Sequence, residues 1–560
     1  MYSKNAIKLC NKSARMPSNY LEGVGNEIQR HFPNKEHQDL PDWTTCCTGR
    51  YIGKSREDYY LPLNATSSDG FPYVQMNKPL LEYFERDGMV LTRPTTFCIA
   101  ELESLEDEFR QGKRGEVYFS LQLKDETREI EKIKAGKTRV FMSSPKTFTI
   151  LCRKYLMDFV IMLHKIKIKT PMSVGIDPTS FEWTRLTERL LEVGDKTVWT
   201  DATNWDASCT PELLQLCYTL VQNWYDDEYG EIRRCIFREL AFTRFVVKDQ
   251  VYMKNAGLPS GCFGTAEFNS IINWAIHLYF YQRMVECYSL DYQMYDFDHH
   301  CRLSTYGDDV VLTVHKDISE YFTPAFIRDS ALEIGFFLTS GDKSEMGNEF
   351  HSLENVTFLK RDFKPFYYDN MKFFVGRLEM DSIRNSIMWI NRQSNEEEDL
   401  RQTINNALSE IWKWGKEEYE DFKSKLKLSN FDLNKVLTYH LTWEQRVEGY
   451  IRRCSKQHDY LSLHPESSKT FDVLLTEFEF QYENLRIVHS TTPKQGGVLI
   501  MDNWWIFGVN CIPKLNKTEK LKIRQRIENF YKYECTKTNE FTNKEGSIDN
   551  YHDPSNGTGC

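Results

Sequence analysis

The chain has 560 residues, of which 41% are hydrophobic and 14% aromatic, a composition that excludes a disordered chain and allows several subdomains around more than one core. Its net charge is −10, so contact with a polyanion has to come from local basic surfaces rather than from the overall balance. The 15 cysteines, odd in number and with Cys46 beside Cys47, suit a reducing compartment better than a disulfide scaffold; no run of about 18 apolar residues proposes a spanning helix.

Lys4, Lys8, Lys12 and Arg15 open the chain without an acid among them and read as a basic arm in preference to an organelle signal. No internal repeat follows. Within Leu123–Phe141, Lys124, Arg128, Lys132, Lys134, Lys137 and Arg139 cluster, and Gly136 marks a turn between two extended arms. Cations on such a finger suit a triphosphate, although Asp125, Glu126, Glu129 and Glu131 leave a self-neutralised surface ribbon open. Val198–Asp206 predicts a strand that ends at Asp201 and a turn that brings Asp206 near the start of a helix. Leu213, Leu214, Leu216, Leu220, Val221 and Trp224 recur at helical spacing, which predicts a helix over Pro211–Tyr229 with Thr210 as its cap. Gly257, Pro259, Gly261 and Gly264 form a bendable loop before a long helix over Ala266–Val285. Asn269 and Asn273 share a face of that helix, where an amide suits a ribose hydroxyl; an ordinary helix start fits equally.

Leu303–Val314 reads as a hairpin whose turn, Tyr306-Gly307-Asp308-Asp309, carries two adjacent carboxylates. Such a pair does nothing for packing and calls for a cation. Asp308 lying beside Asp201 would suit two Mg²⁺ ions about 3.5–4 Å apart, the arrangement for in-line phosphoryl transfer. Taken singly, either acidic site also reads as a surface turn. A further helix is predicted over Thr323–Ile334 and short strands near 356–363. Beyond Phe363 the sequence turns helical, charged and aromatic, with Glu396–Asp399 as a solvated helix start and a polar tail from Lys520. His299-His300-Cys301 lacks a fourth ligand at a zinc spacing.

In this order the pieces resemble the motif set of viral RNA-dependent RNA polymerases of the picornavirus-like superfamily of positive-strand RNA viruses. Asp201-x4-Asp206 resembles motif A, and Pro259-Ser260-Gly261 with Thr265 and Phe268-Asn269 resembles motif B. Tyr306–Asp309 resembles motif C and Lys124 to Arg139 the basic motif F. Thr66–Tyr73 is similar to motif G at the mouth of the template channel, Ile334–Lys343 to motif D and Phe358–Arg361 to motif E, so the matches span just over half the chain. The resemblance implies an α+β fold, a closed right hand with a small antiparallel palm sheet and helix-rich fingers and thumb. Its divisions would be 1–160 fingers, 161–209 first part of the palm, 210–256 fingers insertion, 257–366 second part of the palm, and 367–560 enlarged thumb and C-terminal extension.

The resemblance also implies roles. Asp201 and Asp308 would hold two Mg²⁺ ions, with Mn²⁺ able to substitute, and Asp309 would assist. Lys343 is the expected general acid for pyrophosphate; Lys124, Arg128, Lys137 and Arg139 would meet the triphosphate. Asp206, Ser260, Thr265 and Asn269 would recognise the 2′-hydroxyl, while Ser67, Ser68, Gly70, Gly261, Lys360 and Arg361 would contact RNA. The implied partners are template and product RNA and NTPs, followed by a genome-linked protein primer, other replication proteins and further copies of the chain. The implied location is the host cytoplasm, at membrane-associated replication complexes. Two departures stand out. The part before motif G is short, and roughly 200 residues follow motif E, about twice an ordinary thumb. Trp504-Trp505 and the segment to Pro513 would form a priming platform, fill the template channel or pack the enlarged thumb, so protein-primed and primer-independent initiation both stay open. A reverse transcriptase is opposed by Asp206 and Asn269, and a non-catalytic RNA-binding scaffold by Asp201, Asp308, Asp309, Arg139 and Lys343 occurring together.

Overall fold

Runs of β-branched and aliphatic residues too short for helices, such as Val310–Val314, place four strands side by side in an antiparallel sheet. The computed structural model describes residues 14–455, apart from 36–38, 52–58, 77, 87–88, 125, 127–129, 135, 137, 249, 255, 389–395, 429–432, 434–435 and 437, together with 498–501 and 504–507. Two compact units result: residues 1–84 with 91–465, and residues 85–90 with 466–560.

In chain order, the elements that build the larger unit's site begin with β1 (Phe119–Leu123), β2 (Val140–Ser143), α1 (Lys146–Lys165), α2 (Glu182–Leu191), β3 (Lys196–Thr203) and α3 (Pro211–Tyr225). They continue with β4 (Arg244–Val247), β5 (Gln250–Met253), α4 (Thr265–Cys287), β6 (Cys301–Tyr306), β7 (Asp309–Val314), α5 (Pro324–Glu333) and β8 (Phe337–Ser340). The short strands β9 (Thr357–Phe358) and β10 (Arg361–Asp362) and the helix α6 (Glu396–Ile411) follow.

Two four-stranded sheets result, in the orders β2-β1-β4-β5 and β6-β7-β3-β8. In the second, Leu303 stands opposite Leu312, Leu312 opposite Val198, and Thr339 opposite Asp201. Strand alternation gives this sheet two apolar faces. Val198, Val310, Leu312 and Leu338 join the main core with Ile271 and Ile272 of α4 and Ile327 of α5. Val311 joins a second core with Trp183, Leu186 and Leu190 of α2 and with Phe358 and Phe363, against which Trp199 and Tyr306 pack. At about 1.5–3 kcal/mol per buried large apolar side chain, packing on both faces gives firm support to residues at the end of the sheet.

Helix α4 is buried without interruption from Phe268 to Tyr281, so its polar residues Asn269, Ser270, Asn273 and His277 lie inside the protein and need partners there. Helix α1 is also buried over nearly its whole length, including Asp158. Among the described residues, no helix is long and apolar enough to cross a membrane.

Several expected boundaries move. The helix predicted to Tyr229 ends at Tyr225, where Asp226 turns left-handed at φ 47°. The strand predicted to stop at Asp201 continues to Thr203, because β8 pairs with it as far as Phe337 opposite Thr203. Glu396–Asp399 does open α6, with all four acids in its first turn, where the helix dipole favours them. Arg15 pairs with Glu212 at 2.6 Å, whereas Lys4, Lys8 and Lys12 and the tail from Lys520 lie outside the described residues. In the smaller unit, β11 (Val498–Met501) and β12 (Trp504–Phe507) form an antiparallel hairpin with Trp505 opposite Ile500; residues 508–513 lie outside the described residues.

The turn after β8 shows how tightly the sheet is backed. Gly341 donates its N–H to the Trp199 carbonyl at 3.1 Å, and a Cβ at Gly341 would lie 2.0 Å from Trp199 Cε2. Gly341→Ala is therefore expected to lower stability by about 1–3 kcal/mol through overpacking, read as a lower urea midpoint. An unchanged midpoint would mean that the indole moves aside without cost.

Candidate active site

The β6–β7 turn presents the two adjacent acids. Tyr306 and Asp309 are the last pair of the hairpin, and Gly307 bridges them at φ 64°, a conformation that favours glycine. The Gly307 N–H donates to Ser270 Oγ at 2.7 Å, and Asn273 Nδ2 donates to the Gly307 carbonyl at 3.1 Å. Thr200 is the last β3 residue paired with β7, through Val310, so Asp201 comes next along β3 at the level of Asp309. Asp201 is half-buried, while Asp308 and Asp309 are exposed on one side.

The Asp309 carboxyl is pushed up to about 6, first by the crowding that strips water from it and then by the Asp308 and Asp201 carboxylates, with Lys360 pulling the other way. The Asp309 carboxyl thus senses both of the other acids as like charges. Among the described residues, no three His, Cys, Asp or Glu side chains are already drawn around one point to hold an ion. Hard carboxylate oxygens in mutual repulsion nonetheless fit a divalent cation of the Mg²⁺ type.

The loop before α4 runs against β2. Gly261 bridges to Ser143, and a Cβ there would stand 2.3 Å from the Met142 carbonyl oxygen, so only glycine allows this approach. Buried Lys254 extends its ammonium to the carbonyls of Ala256, at 3.4 Å, and Gly257. Ser260 is exposed. The Thr265 hydroxyl reaches the carbonyls of Cys262, at 2.8 Å, and Pro259, at 3.1 Å. Asn269 is buried, and its Oδ1 accepts from Cys209 Sγ at 3.7 Å. Asp206 falls in the helical turn Trp205–Ser208, and its side chain lies outside the described residues. Asn273, grouped with Asn269 as a ribose-facing amide, is committed to Gly307 instead.

Of the basic finger, Lys124 and Arg139 are described and exposed, with the Lys124 N–H bonded to the Arg139 carbonyl at 2.9 Å. Arg139 Nη1 meets Glu126 at 3.4 Å, an exposed pairing of the kind worth about 0–1 kcal/mol and readily exchanged for a phosphate. Arg128 and Lys137 lie outside the described residues. Lys343 is exposed on the turn after β8 at φ 69°, its N–H bonded to the Ser340 carbonyl at 2.7 Å.

Lys360 and Arg361 part company. Leu359 and Lys360 make the tight β9–β10 turn with φ of 54° and 60°, and Lys360 is exposed. Arg361 turns inward: Glu410 of α6 takes both of its terminal nitrogens at 2.7 and 3.0 Å, and the Gly376 carbonyl accepts from one of them at 2.7 Å. Lys413 Nζ reaches the same Glu410 at 2.9 Å, and burial pushes its ammonium down to about 8 against the pull of Glu410. Arg361 therefore anchors the turn, with its guanidinium engaged by Glu410 and Gly376.

Ser67 and Ser68 are exposed on a loop that Lys146, at the start of α1, staples from beneath. Its buried ammonium pairs with Asp69 at 2.5 Å and donates to the carbonyls of Ser67, at 2.7 Å, and Ala65, at 3.3 Å. Gly70, at φ 74°, packs where a Cβ would stand 2.7 Å from Pro145 Cα. His300 of the His299-His300-Cys301 run shares a hydrogen bond with the Tyr281 hydroxyl at 2.8 Å, and Cys301 is buried at the start of β6.

Two expectations follow from these charges. Because the Asp309 carboxyl rises from 3.8 to about 6 on folding, the native chain keeps a proton between those values that the unfolded chain has lost. The stability this group supplies is present at low pH and is lost as pH rises through about 6. In EDTA, Asp309→Asn should melt at a higher temperature than the parent at pH 7.5, with the gap closing toward pH 4; a parent that melts at or above the variant throughout would contradict this. Glu410→Gln leaves buried Lys413 and half-buried Arg361 without their carboxylate and should cost about 3–5 kcal/mol in urea unfolding, well above the cost of Lys413→Met.

A family model described as viral RNA-dependent RNA polymerase matches residues 24–429. The chain is 29% identical over 389 residues to the replicase polyprotein of Drosophila C virus (strain EB), covering 66% of this chain and 22% of the polyprotein. It is 26% identical over 405 residues to the replicase polyprotein of Acute bee paralysis virus (strain Rothamsted), covering 70% of this chain and 20% of the polyprotein. The genome polyprotein of Rice tungro spherical virus (strain Vt6) is 26% identical over 431 residues, 73% of this chain and 12% of that polyprotein. The chain thus spans less than a quarter of the length of each of these relatives. Among solved structures, Sicinivirus 3Dpol RNA dependent RNA polymerase superposes with a TM-score of 0.64 at 19% identity, covering 80% of this chain and 89% of that one. That likeness establishes a shared fold, the α+β right hand of fingers, palm and thumb. With the family model matching well over half of its length, this chain belongs to the viral RNA-dependent RNA polymerase family.

Proposed function

We propose that this chain copies RNA into RNA, adding nucleoside triphosphates to an RNA 3′-hydroxyl with release of pyrophosphate, in replication and transcription of a viral genome. The observation that carries the reading is the meeting of Asp201, Asp308 and Asp309 at one end of a sheet, close enough to raise the Asp309 carboxyl, within a chain of this family. Two Mg²⁺ ions, replaceable by Mn²⁺, would activate the 3′-hydroxyl and neutralise the triphosphate, with Asp201 and Asp308 as ligands and Asp309 in support.

The chain's own residues do the rest. Exposed Lys124 and Arg139, with Arg128 and Lys137 of the same finger, receive the triphosphate, and Lys343 gives a proton to the leaving pyrophosphate. Asp206, Ser260, Thr265 and Asn269 select the ribose: a site that bonds the 2′-hydroxyl penalises a sugar lacking it. Ser67, Ser68, Gly70 and Gly261 lie along the template path, and Lys360 meets the product backbone while Arg361 holds Lys360 in place. We assign the palm to 161–209 and 257–366, the fingers to 1–160 and 210–256, and the thumb with its extension to 367–560. A genome-linked protein primer, other replication proteins and self-association are further partners in this reading, and replication complexes on host cytoplasmic membranes are its setting.

The test is nucleotide incorporation on a short RNA template, with and without an annealed primer, at varied Mg²⁺. Ribonucleotides should be incorporated in preference to deoxyribonucleotides, and Asp308→Ala should reduce incorporation by roughly 10²–10³-fold or more while RNA binding persists. Preference for deoxyribonucleotides would defeat the reading. Full activity in Asp308→Ala would remove the metal assignment.

A further inference from the structure

We propose that Ser270 and Asn273 form a two-point clamp on the Gly307 peptide and are positioning residues that set where Asp308 and Asp309 stand; the inference rests on the polymerase reading above. Both side chains are buried, at 0% and 1% exposure, and they lie three residues apart on one face of α4. They grip opposite ends of one residue: Ser270 Oγ accepts from the Gly307 N–H at 2.7 Å, and Asn273 Nδ2 donates to the Gly307 carbonyl at 3.1 Å.

The polarity is fixed by further bonds. The Ser270 hydroxyl proton is spent on the Ala266 carbonyl at 2.7 Å, which leaves an oxygen lone pair for Gly307. The backbone around the clamp is tied as well: the Ser270 carbonyl accepts from Thr305 Oγ1 at 3.3 Å, and the Thr305 N–H donates to the Pro171 carbonyl at 2.8 Å. A hairpin turn beside solvent would ordinarily satisfy its peptide groups with water, and the next two residues, Asp308 and Asp309, are indeed exposed. Gly307 is instead buried and held by the helix.

Two side chains spent on a glycine peptide have a physical reason. Asp308 and Asp309 follow Gly307 directly, and Asp201 stands level with Asp309 on the neighbouring strand, so the spacing of the three acids depends on how the Gly307 backbone is held. A displacement of about 1 Å at reacting groups can cost about 10²-fold in rate. The clamp also joins two parts of the site through one rigid element, since α4 begins at Thr265 and carries Asn269 one turn before Asn273. The end of the helix that faces the sugar-selecting loop thereby sets the height of the metal-binding turn.

The experiment uses the full chain with Ser270→Ala, with the near-isosteric Asn273→Asp, which places an acceptor against the Gly307 carbonyl, and with both together. In the protein without metal or nucleotide, hydrogen exchange across residues 303–314 should quicken in each variant while α4 keeps its protection. With RNA and NTPs, kcat should fall by about 10- to 100-fold, KM for NTP should stay within about twofold, and the Mg²⁺ needed for half-maximal rate should rise. The double variant should lose less than the product of the single losses, because both act on the backbone of one residue. Activity that falls only in step with melting temperature, with faster exchange along all of α4, would overturn the clamp, as would unchanged exchange with unchanged kcat. Exchange is read without catalysis, so an inactive parent whose variants still loosen 303–314 would defeat the polymerase reading and keep the clamp. An active parent with indifferent variants would do the reverse.

Discussion

Three carboxylates that repel one another have to be held at one end of a sheet, and much of the architecture answers to that constraint. Like charges brought close together at a protein surface repel, and that repulsion opposes folding. The cost is carried by apolar packing on both faces of the β6-β7-β3-β8 sheet. Val310, Leu312 and Val198 lock into the main core, while Val311 locks into the cluster around Trp183. Neither β3 nor β7 can slide without moving residues from both cores, since a one-residue slip sends every side chain to the opposite face. Packing on both faces thus fixes where the three acids stand relative to one another, and the Asp309 carboxyl is raised by its neighbours there.

The parts legible in the sequence are those that obey a local period or a turn rule. The β6–β7 hairpin, the helices α3, α4 and α5 and the glycine-rich loop all stand within a few residues of where spacing puts them, because apolar periodicity and turn chemistry are written in consecutive residues. The strand through Asp201 runs two residues further than its own sequence suggests, since the extension depends on β8, more than a hundred residues away. The supporting side chains were harder to see for the same reason. Nothing next to Arg361 announces Glu410, and nothing in Thr66–Tyr73 announces Lys146. Asn273 was visible as an amide on the inner face of a helix, but its partner, a backbone carbonyl in a turn, leaves no mark on sequence. The apolar residues on every side of α4 are the available signal, because a buried amide in such a helix must find a partner close by.

The chain's acidity and its reading as an RNA-copying enzyme are reconciled by the way its cations are divided. One group is buried or half-buried and fastens loops: Lys146 under Ser67–Gly70, Lys254 under Ala256 and Gly257, and half-buried Arg361 into Glu410. Each spends its charge on carbonyls or a carboxylate of the protein, where loss of solvation demands several good partners. The other group, Lys124, Arg139, Lys343 and Lys360, stands exposed on turns and strand ends. Those cations are well hydrated and lightly committed, so a phosphate can claim them at small cost. A net charge of −10 then favours release of a polyanion from acidic surface, while attraction comes from the turns and strand ends that carry exposed cations. Loop geometry and substrate charge are thus supplied by different lysines and arginines, and a basic residue's motif position alone does not say which task it performs. Adjacent in sequence, Lys360 and Arg361 fall on opposite sides of that division because a two-residue turn points one outward and lets α6 capture the other.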